Sequence, residues 1–352
     1  MRNRNQNRNR GPRRAFALAA LTAALVATIS ACGEREENLS SGSPTELSLL
    51  LDFFVNPDHA GIYTGLARGD FDEAGLKVNP EVPSDPASPL RLLAAGQVDL
   101  AISYEPEVIL ARDQGLDVVA VASIVDQPLT SLISLPKGGI ADPHDLDKKT
   151  IATAGIGYQD AFLSAILGGV GLETNDVKAV DVGFNLEPPL ISGSADAILG
   201  GFRNVEGVEL RLRGLKPRIV PVDQLGVPTY DELVLVVNRK TLEEDPEPIR
   251  LFISALEQGT LGAIDSPELA TETILDASDG LDPAITKAEI DATLPLLAPE
   301  PGHPFGELDP DEWGAFAAFM ADQGLTERRW TSAELIDNSL LPSSDAEAGP
   351  TG

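Results

Sequence analysis

Short apolar runs alternate with helix-like segments as far as Thr241, and this alternation constrains the fold more than any other feature of the chain. A parallel pair of strands needs a long crossover between them, which a helix usually supplies. The pattern therefore predicts an α/β fold with largely parallel sheets. The predicted strands are Leu47–Leu51, Leu100–Ser103, Val118–Ala122, Ile151–Ala154, Ala197–Leu199 and Leu233–Val237.

The chain after Thr241 is predicted to be helical, because strand-like runs no longer occur there. About 300 residues follow the N-terminal leader, which is more than one compact core usually covers, so we expect two lobes. The helical stretches are Pro248–Ile264, Leu269–Ala277, Ala288–Leu297, Asp311–Gly324 and Ser332–Leu341.

The N-terminal segment predicts a lipoprotein signal peptide over residues 1–32. Arginines precede an apolar stretch from Ala15 to Ile29, which suits a signal peptide better than a spanning helix, and small residues then lead to Cys32. Its thiolate can accept a diacylglyceryl group, which would anchor the protein to the cell membrane outside the cytoplasm. An ordinary secretory peptide with an incidental cysteine is the alternative. Residues 33–46 are predicted to be a flexible linker, and 343–352 a disordered tail.

The charge balance is strongly acidic, with a formal net charge of −29 from 55 acidic and 26 basic residues. A surface of that sign excludes nucleic acid as a partner and argues against electrostatic attachment to anionic lipid. We therefore expect membrane contact through the lipid on Cys32, and a monomeric protein. Cys32 is the only cysteine, so no intramolecular disulfide can form.

A short internal echo suggests that the two lobes are similar. Leu93–Ile102 recurs as Leu190–Leu199, and in each copy a glycine that suits a left-handed helix cap is followed by an aspartate and a strand. Ligands of open α/β sheets bind outside the carboxyl ends of strands, so the loops after these strands would face a common crevice. A repeat this short can also arise by chance.

The four tyrosines lie in predicted loops or turns of a chain that is only 5% aromatic. A tyrosine offers a flat apolar face and one hydroxyl, which suits stacking on a planar heterocycle and orienting it. The alternative for each residue is the general preference of tyrosine for half-exposed positions. The four are Tyr63, Tyr104, Tyr158 and Tyr230.

The densest polar segment, Asp52–His59, follows the first predicted strand. His59 can donate or accept a hydrogen bond with a ring nitrogen or an amino group. A helix N-cap by Asp58, with His59 on the first turn, is the alternative. Further along the chain, Glu105 and Glu206 offer acceptors for an exocyclic amine or a cation.

Common enzyme signatures are absent from the sequence. It contains no Gly-x-Ser-x-Gly elbow, Walker loop or His-Glu-x-x-His helix. Gly155 and Gly157 resemble the start of a dinucleotide fingerprint, but Asp160 occupies the place of the third glycine, where a carboxylate would repel pyrophosphate. We therefore predict no catalytic residues, no cofactor and no metal site.

Three segments carry a family resemblance: Leu51–Tyr63, Ser103–Glu107 and Arg203–Gly207. Together they resemble the solute-binding proteins of ABC importers for thiamine pyrimidine precursors, a family that is kin to the eukaryotic hydroxymethylpyrimidine synthase. The likeness runs from about Leu47 to Pro342. It implies a two-lobed type II periplasmic-binding-protein fold, with lobe one over residues 47–130, lobe two over 131–235 and a helical return to lobe one over 236–342.

The resemblance also implies a ligand and its contacts. The ligand would be a hydroxymethylpyrimidine or formyl-aminomethylpyrimidine, enclosed by lobe closure and passed to an ABC permease. The family motif has Trp at the position of Phe53, and the smaller ring leaves room for a riboflavin-like heterocycle. The implied contacts are Phe53, Asn56, His59, Tyr104 and Glu105 from lobe one, and Tyr158, Asn204 and Glu206 from lobe two.

Three other functions remain as alternatives. A binder of alkanesulfonate or nitrate needs an anion site, yet the candidate loops carry carboxylates and little positive charge except Arg203. A pyrimidine synthase of the related kind would need a cysteine-rich iron site, for which this sequence has no counterpart. A lipid-anchored scaffold with a vestigial cleft is the third alternative.

Overall fold

Two five-stranded β-sheets with flanking helices form the framework of the protein. The computed structural model describes residues 43–299 and 301–342. The predicted signal peptide, the lipidation of Cys32, most of the predicted linker and the predicted tail lie outside the described residues. The prediction of an α/β fold is confirmed. None of the helices in the described ranges is both long and apolar enough to cross a membrane.

The first part of the chain builds four strands of the first sheet. Its first strand starts at Thr45, inside the predicted linker. The elements are β1 (Thr45–Leu50), α1 (Ala60–Arg68), α2 (Asp70–Glu73), β2 (Leu76–Glu81), α3 (Pro89–Ala94), β3 (Leu100–Ser103), α4 (Glu105–Asp113) and β4 (Val118–Val125).

The middle of the chain builds the second sheet. The elements are β5 (Thr130–Ser134), β6 (Thr150–Thr153), α5 (Gly157–Gly169), β7 (Lys178–Asp181), α6 (Glu187–Ser192), β8 (Ala197–Phe202), α7 (Glu206–Leu212) and β9 (Arg218–Pro221).

The last part returns to the first sheet with one strand and is otherwise helical. The elements are β10 (Leu233–Asn238), α8 (Arg239–Glu244), α9 (Glu247–Asp265), α10 (Pro267–Ala277), α11 (Pro283–Leu297), α12 (Pro310–Asp322) and α13 (Ser332–Leu335).

The two sheets have equivalent topologies. The strand order is β2-β1-β3-β10-β4 in the first sheet and β7-β6-β8-β5-β9 in the second. In each sheet four strands run in the same direction, and one strand, β10 in the first sheet and β5 in the second, is antiparallel to both of its neighbours. The chain crosses between the sheets twice, from β4 to β5 and from β9 to β10. We call each sheet with its helices a lobe. The predicted lobe boundaries at residues 130 and 235 lie near these crossings and stay a prediction.

The internal echo marks corresponding positions in the two lobes. Gly96 and Gly193 both have a left-handed backbone, with φ of 67° and 83°. Asp99 then accepts a hydrogen bond from the backbone N–H of Ser48 in β1 at 2.8 Å. Asp196 accepts the corresponding bond from Thr150 in β6, also at 2.8 Å. The aspartate thus ties each echo strand to its parallel neighbour.

The C-terminal helices pack onto lobe one, and the closest approach joins α9 to α1. A Cβ atom added to Gly259 would lie 2.3 Å from the carbonyl oxygen of Gly61, which a side chain cannot tolerate. This contact fixes α1 against the C-terminal third of the chain, and α1 begins directly after the polar segment that the sequence singles out.

Glu232 connects the two crossings. Its buried carboxylate accepts hydrogen bonds from the backbone N–H groups of Leu129 and Thr130, both at 2.7 Å. The Thr130 hydroxyl donates to the other oxygen at 2.8 Å, and the Tyr230 hydroxyl donates at 2.9 Å. One side chain on the second crossing therefore satisfies backbone donors at the first.

The structure differs from the predicted elements in two respects. Four strands, β2, β5, β7 and β9, are absent from the predicted apolar runs. β2, β7 and β9 contain exposed or partly exposed polar residues and proline, and the polar residues Thr130, Ser131 and Ser134 interrupt the apolar run of the buried β5. The predicted helix Ser332–Leu341 is wrong beyond Leu335. There Ile336 forms a bridge with Ala120 of β4, so the chain pairs with the edge of the sheet instead of continuing as a helix.

Candidate functional site

A cavity of about 240 Å³ lies between the lobes, where the carboxyl ends of the parallel strands meet. The walls belong to the end of β8 and to loops and helix starts that follow strands, so the fold rather than any local motif assembles the site. Lobe one contributes the segment after β1 and the residue after β3. Lobe two contributes the segments after β6, β7 and β8. The lining residues used below are Phe53, Phe54, Asn56, Tyr104, Tyr158, Gln159, Phe184, Glu187, Phe202, Glu206 and Glu209.

Two tyrosines from opposite lobes form one wall of the cavity. The rings of Tyr104 and Tyr158 lie 5.3 Å apart between centroids, inclined by 53°, and the edge of Phe202 lies against Tyr104 at 6.5 Å. Both tyrosines are buried. Aromatic faces of this kind suit a planar apolar ring. The structure therefore brings together two of the four tyrosines that the sequence analysis selected, while Tyr63 and Tyr230 lie outside the lining.

Three phenylalanines meet at the cavity from both lobes. Phe184 after β7 contacts Phe53 at 4.7 Å and Phe54 at 4.3 Å between ring centroids, and Phe54 is 48% exposed. Phe53 was predicted as a ligand contact, but Phe54 and Phe184 were not. An aromatic residue directly after Gly183, in a chain with few aromatics, is the signal that could have identified Phe184.

Asp52 holds Tyr104 and His59 in place. The Tyr104 hydroxyl donates to one carboxylate oxygen at 2.7 Å, and Nε2 of His59 lies 2.8 Å from the other. Nδ1 of His59 accepts from the backbone N–H of Asn56 at 3.3 Å, so Nε2 carries the proton and donates to Asp52. His59 is buried and outside the cavity lining. It is linked to the cavity through Asp52 and Tyr104.

Asn56 lines the cavity while capping the turn that follows it. Its side-chain oxygen accepts from the backbone N–H of Asp58 at 2.8 Å, and its amide nitrogen donates to the Phe54 carbonyl at 3.0 Å. The helix N-cap by Asp58 that was the alternative prediction is wrong: Asn56 caps the turn Pro57–His59, and α1 begins after His59 without a side-chain cap. The amide is held at the wall with one N–H still available to a ligand.

Two residues predicted to contact the ligand, Glu105 and Asn204, lie outside the cavity lining. Glu105 is hydrogen-bonded to Asp231, and Asn204 to Asp58. Glu105 accepts from the backbone N–H of Asp231 at 2.8 Å, and burial raises its pKa well above the usual value. Asn204 donates to Asp58 and to Thr293, each at 2.8 Å. Each side chain bonds a protein partner, while Glu105 Oε1 and Asn204 Oδ1 are buried without a hydrogen-bond partner among the described residues. With His59, they stay predictions as ligand contacts.

Glu206 lines the cavity together with two further carboxyl groups that were not predicted. The backbone N–H of Phe202 donates to Glu206 at 2.7 Å, and burial raises the pKa of Glu206 to about 7. Glu187 and Glu209 lie beside it. Among the described residues that line the cavity, none is Lys, Arg or His. The site therefore offers ring faces and hydrogen-bond acceptors, and no cationic group for an anion.

A second cavity, of about 500 Å³, lies elsewhere and is a weaker candidate. Its walls come from the end of β4, the two crossings and the segment between α11 and α12, with Asp231 and Asp309 among them. No strand or helix of lobe two contributes to it. Closure of one lobe on the other would therefore not enclose a ligand there.

Comparisons with known proteins agree with this geometry. A model of the family described as NMT1/THI5 like matches residues 56–270. The chain is 35% identical to a putative thiamine biosynthesis protein of Haemophilus influenzae, over 82% of this chain and 90% of that protein. It is also 35% identical to the formylaminopyrimidine-binding protein of Halalkalibacterium halodurans, over 76% of this chain and 82% of that one.

More distant relatives and solved structures extend the comparison. At 24% identity, over 86% of this chain and 94% of the relative, the chain is similar to a 4-amino-5-hydroxymethyl-2-methylpyrimidine phosphate synthase of Legionella pneumophila. The alkanesulfonate-binding protein SsuA of Xanthomonas axonopodis pv. citri superposes with a TM-score of 0.67 at 18% identity, over 85% of this chain and all of that one. The predicted resemblance is thus confirmed, and the chain belongs to the NMT1/THI5 like family, with the two-lobed fold of periplasmic binding proteins.

Proposed function

We propose that this chain is the substrate-binding protein of an ABC importer and that it carries a thiamine pyrimidine precursor, of the hydroxymethylpyrimidine or formyl-aminomethylpyrimidine type. The observation that carries the proposal is the composition of the cavity wall. The lining combines two tyrosine rings with carboxyl and amide groups, and its described residues include no cationic side chain.

The chemistry of an aminopyrimidine fits that wall. Its ring is flat and apolar on both faces, which suits Tyr104 and Tyr158. Its amino group donates hydrogen bonds, which Glu206 accepts in this proposal, and its ring nitrogens accept, which suits the free N–H of Asn56. Closure of the lobes would exchange the hydration of the ligand for these contacts, and the closed form would be presented to the permease.

An anionic ligand is disfavoured by the same wall. A sulfonate or nitrate needs positively charged groups or clustered N–H donors. Arg203, the one basic residue in the candidate loops, instead donates to the Pro128 carbonyl at 3.1 Å and to Gln127 at 2.7 Å. The structural similarity to an alkanesulfonate-binding protein therefore supports the fold, and the carboxyl groups favour a different ligand class.

We propose binding without covalent chemistry. The two relatives at 35% identity are named as a thiamine biosynthesis protein and a formylaminopyrimidine-binding protein, and the relatives named as synthases are more distant. His59 follows the lining residue Asn56 closely in sequence, but its side chain is buried against Asp52 and does not line the cavity.

We also propose that the lipid on Cys32 anchors the protein and that the lobes meet near residues 130 and 235.

The first experiment is native mass spectrometry of residues 33–352, the chain without the lipidated Cys32, with extraction of any bound small molecule. Isothermal titration with 4-amino-5-hydroxymethyl-2-methylpyrimidine, riboflavin and ethanesulfonate then compares the three ligand classes. We expect binding of the pyrimidine alone, weakened at least tenfold by Glu206→Gln because the amide donates where the carboxylate accepts. Binding of riboflavin or ethanesulfonate with no pyrimidine binding would overturn the ligand assignment, and product formation from pyridoxal phosphate and iron would overturn the non-enzymatic assignment.

A further inference from the structure

Gln159 places a buried carboxamide of fixed orientation at the cavity. It follows Tyr158 in the first turn of α5, lines the cavity and is only 1% exposed. Its Oε1 atom accepts a hydrogen bond from the backbone N–H of Ala154 at 2.8 Å. A carboxamide accepts through its oxygen and donates through its nitrogen, so this bond directs the donor atom, Nε2, to the other side.

Strand β8 leaves the space that Nε2 of Gln159 occupies. Gly200 is a bulge residue of this strand and has no partner where β8 pairs with β5. Its φ is 110°, and a Cβ atom added to it would lie 2.3 Å from Nε2 of Gln159. Gly200 is half-buried and also lines the cavity. Bulges re-aim groups beside binding sites, and a glycine within a strand permits a close approach. The second sheet is therefore shaped around the amide nitrogen at the cavity wall.

The amide nitrogen of Gln159 has one N–H group left for a ligand. Burial raises the pKa of Tyr158 well above its usual value, and a hydrogen bond from the Gln159 side chain opposes that rise, so one N–H is directed to the Tyr158 hydroxyl. A carboxamide carries two N–H groups, and the second has no acceptor among the residues that the structure describes. A buried donor without an acceptor is costly, so its place beside the bulge at the cavity points to an acceptor that the ligand brings.

We propose that Gln159 determines ligand specificity by donating a hydrogen bond to a carbonyl oxygen on the arm of the pyrimidine, so that the cavity prefers a formyl-aminomethyl arm to an aminomethyl arm. This inference rests on the proposed function. There Glu206 meets the amino group and Asn56 meets a ring nitrogen, which leaves the arm for Gln159. A formyl oxygen accepts from Nε2, whereas the ammonium group of an aminomethyl arm only donates and would set one donor against another.

The carboxyl groups of the lining act in the opposite direction, which makes the preference diagnostic. Glu187, Glu206 and Glu209 would attract an ammonium arm if charge alone selected the ligand. Burial raises the pKa values of Glu187 and Glu206 to about 7, so protons neutralise part of this charge near neutral pH. A preference for the uncharged formyl arm therefore reports the donor of Gln159 and not the net charge of the wall.

The test compares two probes that differ only in a formyl group on the arm nitrogen, 4-amino-5-formylaminomethyl-2-methylpyrimidine and 4-amino-5-aminomethyl-2-methylpyrimidine. Isothermal titration at pH 7.5 gives both dissociation constants for residues 33–352 of wild type, Gln159→Glu, Gln159→Met and Gln224→Glu. Gln159→Glu keeps an acceptor for the Ala154 N–H and replaces the donor, while Gln159→Met removes the donor without adding an ionisable group. Gln224→Glu, at an exposed position of lobe two outside the lining, controls for the added charge.

We expect wild type and Gln224→Glu to prefer the formylated probe by roughly tenfold or more, because the other probe leaves a buried donor without an acceptor. Both Gln159 variants lose most of that preference, and Gln159→Glu binds the aminomethyl probe more tightly than wild type does. Binding of the aminomethyl probe also shows that the variants are folded.

Two results overturn the inference while the proposed function stands: a wild type that does not prefer the formylated probe, or a preference that Gln159→Met retains. Gln159 variants that lose both probes equally assign Gln159 to the ring or to structure, and they overturn its role in selecting the arm. If neither probe binds wild type, the proposed function fails, and this inference fails with it.

Discussion

Asn204 of lobe two donates a hydrogen bond to Asp58 of lobe one, and the bond spans 2.8 Å across the cleft. The same amide nitrogen donates to Thr293 on α11, also at 2.8 Å. Both bonds are buried, so water does not compete for them. Burial also raises the pKa of Asp58 well above its usual value. Ionisation of the Asp58 carboxyl is therefore unfavourable, and Asn204 supplies its hydrogen-bond donor from the opposite lobe. This link holds the lobes in the arrangement that encloses the cavity.

We expect Asn204→Ala to open the ligand-free protein. The change removes both bonds across the cleft and leaves Asp58 without a donor, so the free energy of unfolding should fall by about 1–3 kcal/mol. Urea titration measures that loss, and small-angle X-ray scattering measures the radius of gyration, which should increase. Asn175→Ala, at an exposed position of lobe two, is the matched control. An unchanged radius of gyration would show that other contacts hold the lobes.

Glu232 is predicted to be the most sensitive polar residue at the crossings. Glu232→Ala leaves four donors without their acceptor, two of them backbone N–H groups, so we expect a loss of about 3 kcal/mol or more in unfolding free energy. Glu232→Gln keeps one acceptor oxygen and should cost less than the alanine variant. Urea unfolding ranks the two against Glu243→Gln, which alters an exposed glutamate. Equal losses for Gln and Ala would contradict the role of the hydrogen bonds.

Phe184 is predicted to slow the escape of a bound ligand. Phe184→Ala removes ring contacts with Phe53 and Phe54, and aromatic pairs contribute about 0.5–1.5 kcal/mol each. If the ring contacts of Phe184 with Phe53 and Phe54 persist when a ligand is bound, the loss of each one should raise the dissociation rate by roughly twofold to tenfold. Stopped-flow displacement of the pyrimidine measures this rate. Phe184→Tyr keeps the ring and should behave as wild type; an alanine variant with an unchanged rate would remove Phe184 from the exit path.

Two carboxyl groups, Glu206 at the cavity and the buried Glu289 on α11, should make the protein less stable as pH rises. Burial raises the pKa of Glu206 to about 7 and that of Glu289 to about 8, from a usual value of 4.5. Between about pH 5 and pH 8 the folded state therefore keeps protons that the unfolded state has lost. The free energy of unfolding falls with rising pH wherever the folded state binds more protons, so stability is lost across this window.

Thermal unfolding from pH 5 to pH 8 tests this dependence. We expect the melting temperature to decrease toward pH 8, and Glu289→Gln to flatten the decrease because an amide does not ionise. Glu268→Gln, at an exposed position on α10, should leave the slope unchanged. A melting temperature that rises steadily over this range would mean that the carboxyls are ionised and stabilised by partners.

The local signals in the sequence predicted much of the scaffold. Apolar runs predicted β3, β4 and β10, and the glycines of the echo predicted two corresponding turns, to which the structure adds matching aspartate bonds to the neighbouring strands. These features succeed because periodicity, glycine backbone freedom and capping act over a few residues. Strands with polar exposed faces, such as β7, carry no such signal, and Phe184 and Glu187 follow that strand.

For the site, sequence position determined which segments meet, and the tertiary structure decided which side chains face the cavity. The loops at Phe53, Tyr104, Tyr158 and Glu206 were predictable because the carboxyl ends of parallel strands share one edge of a sheet. Whether Glu105 or Asn204 faces that edge depends on partners far along the chain, Asp231 for one and Asp58 with Thr293 for the other. Such partners, and the burial that raises the pKa values of the carboxyls, exist only once the lobes are packed together.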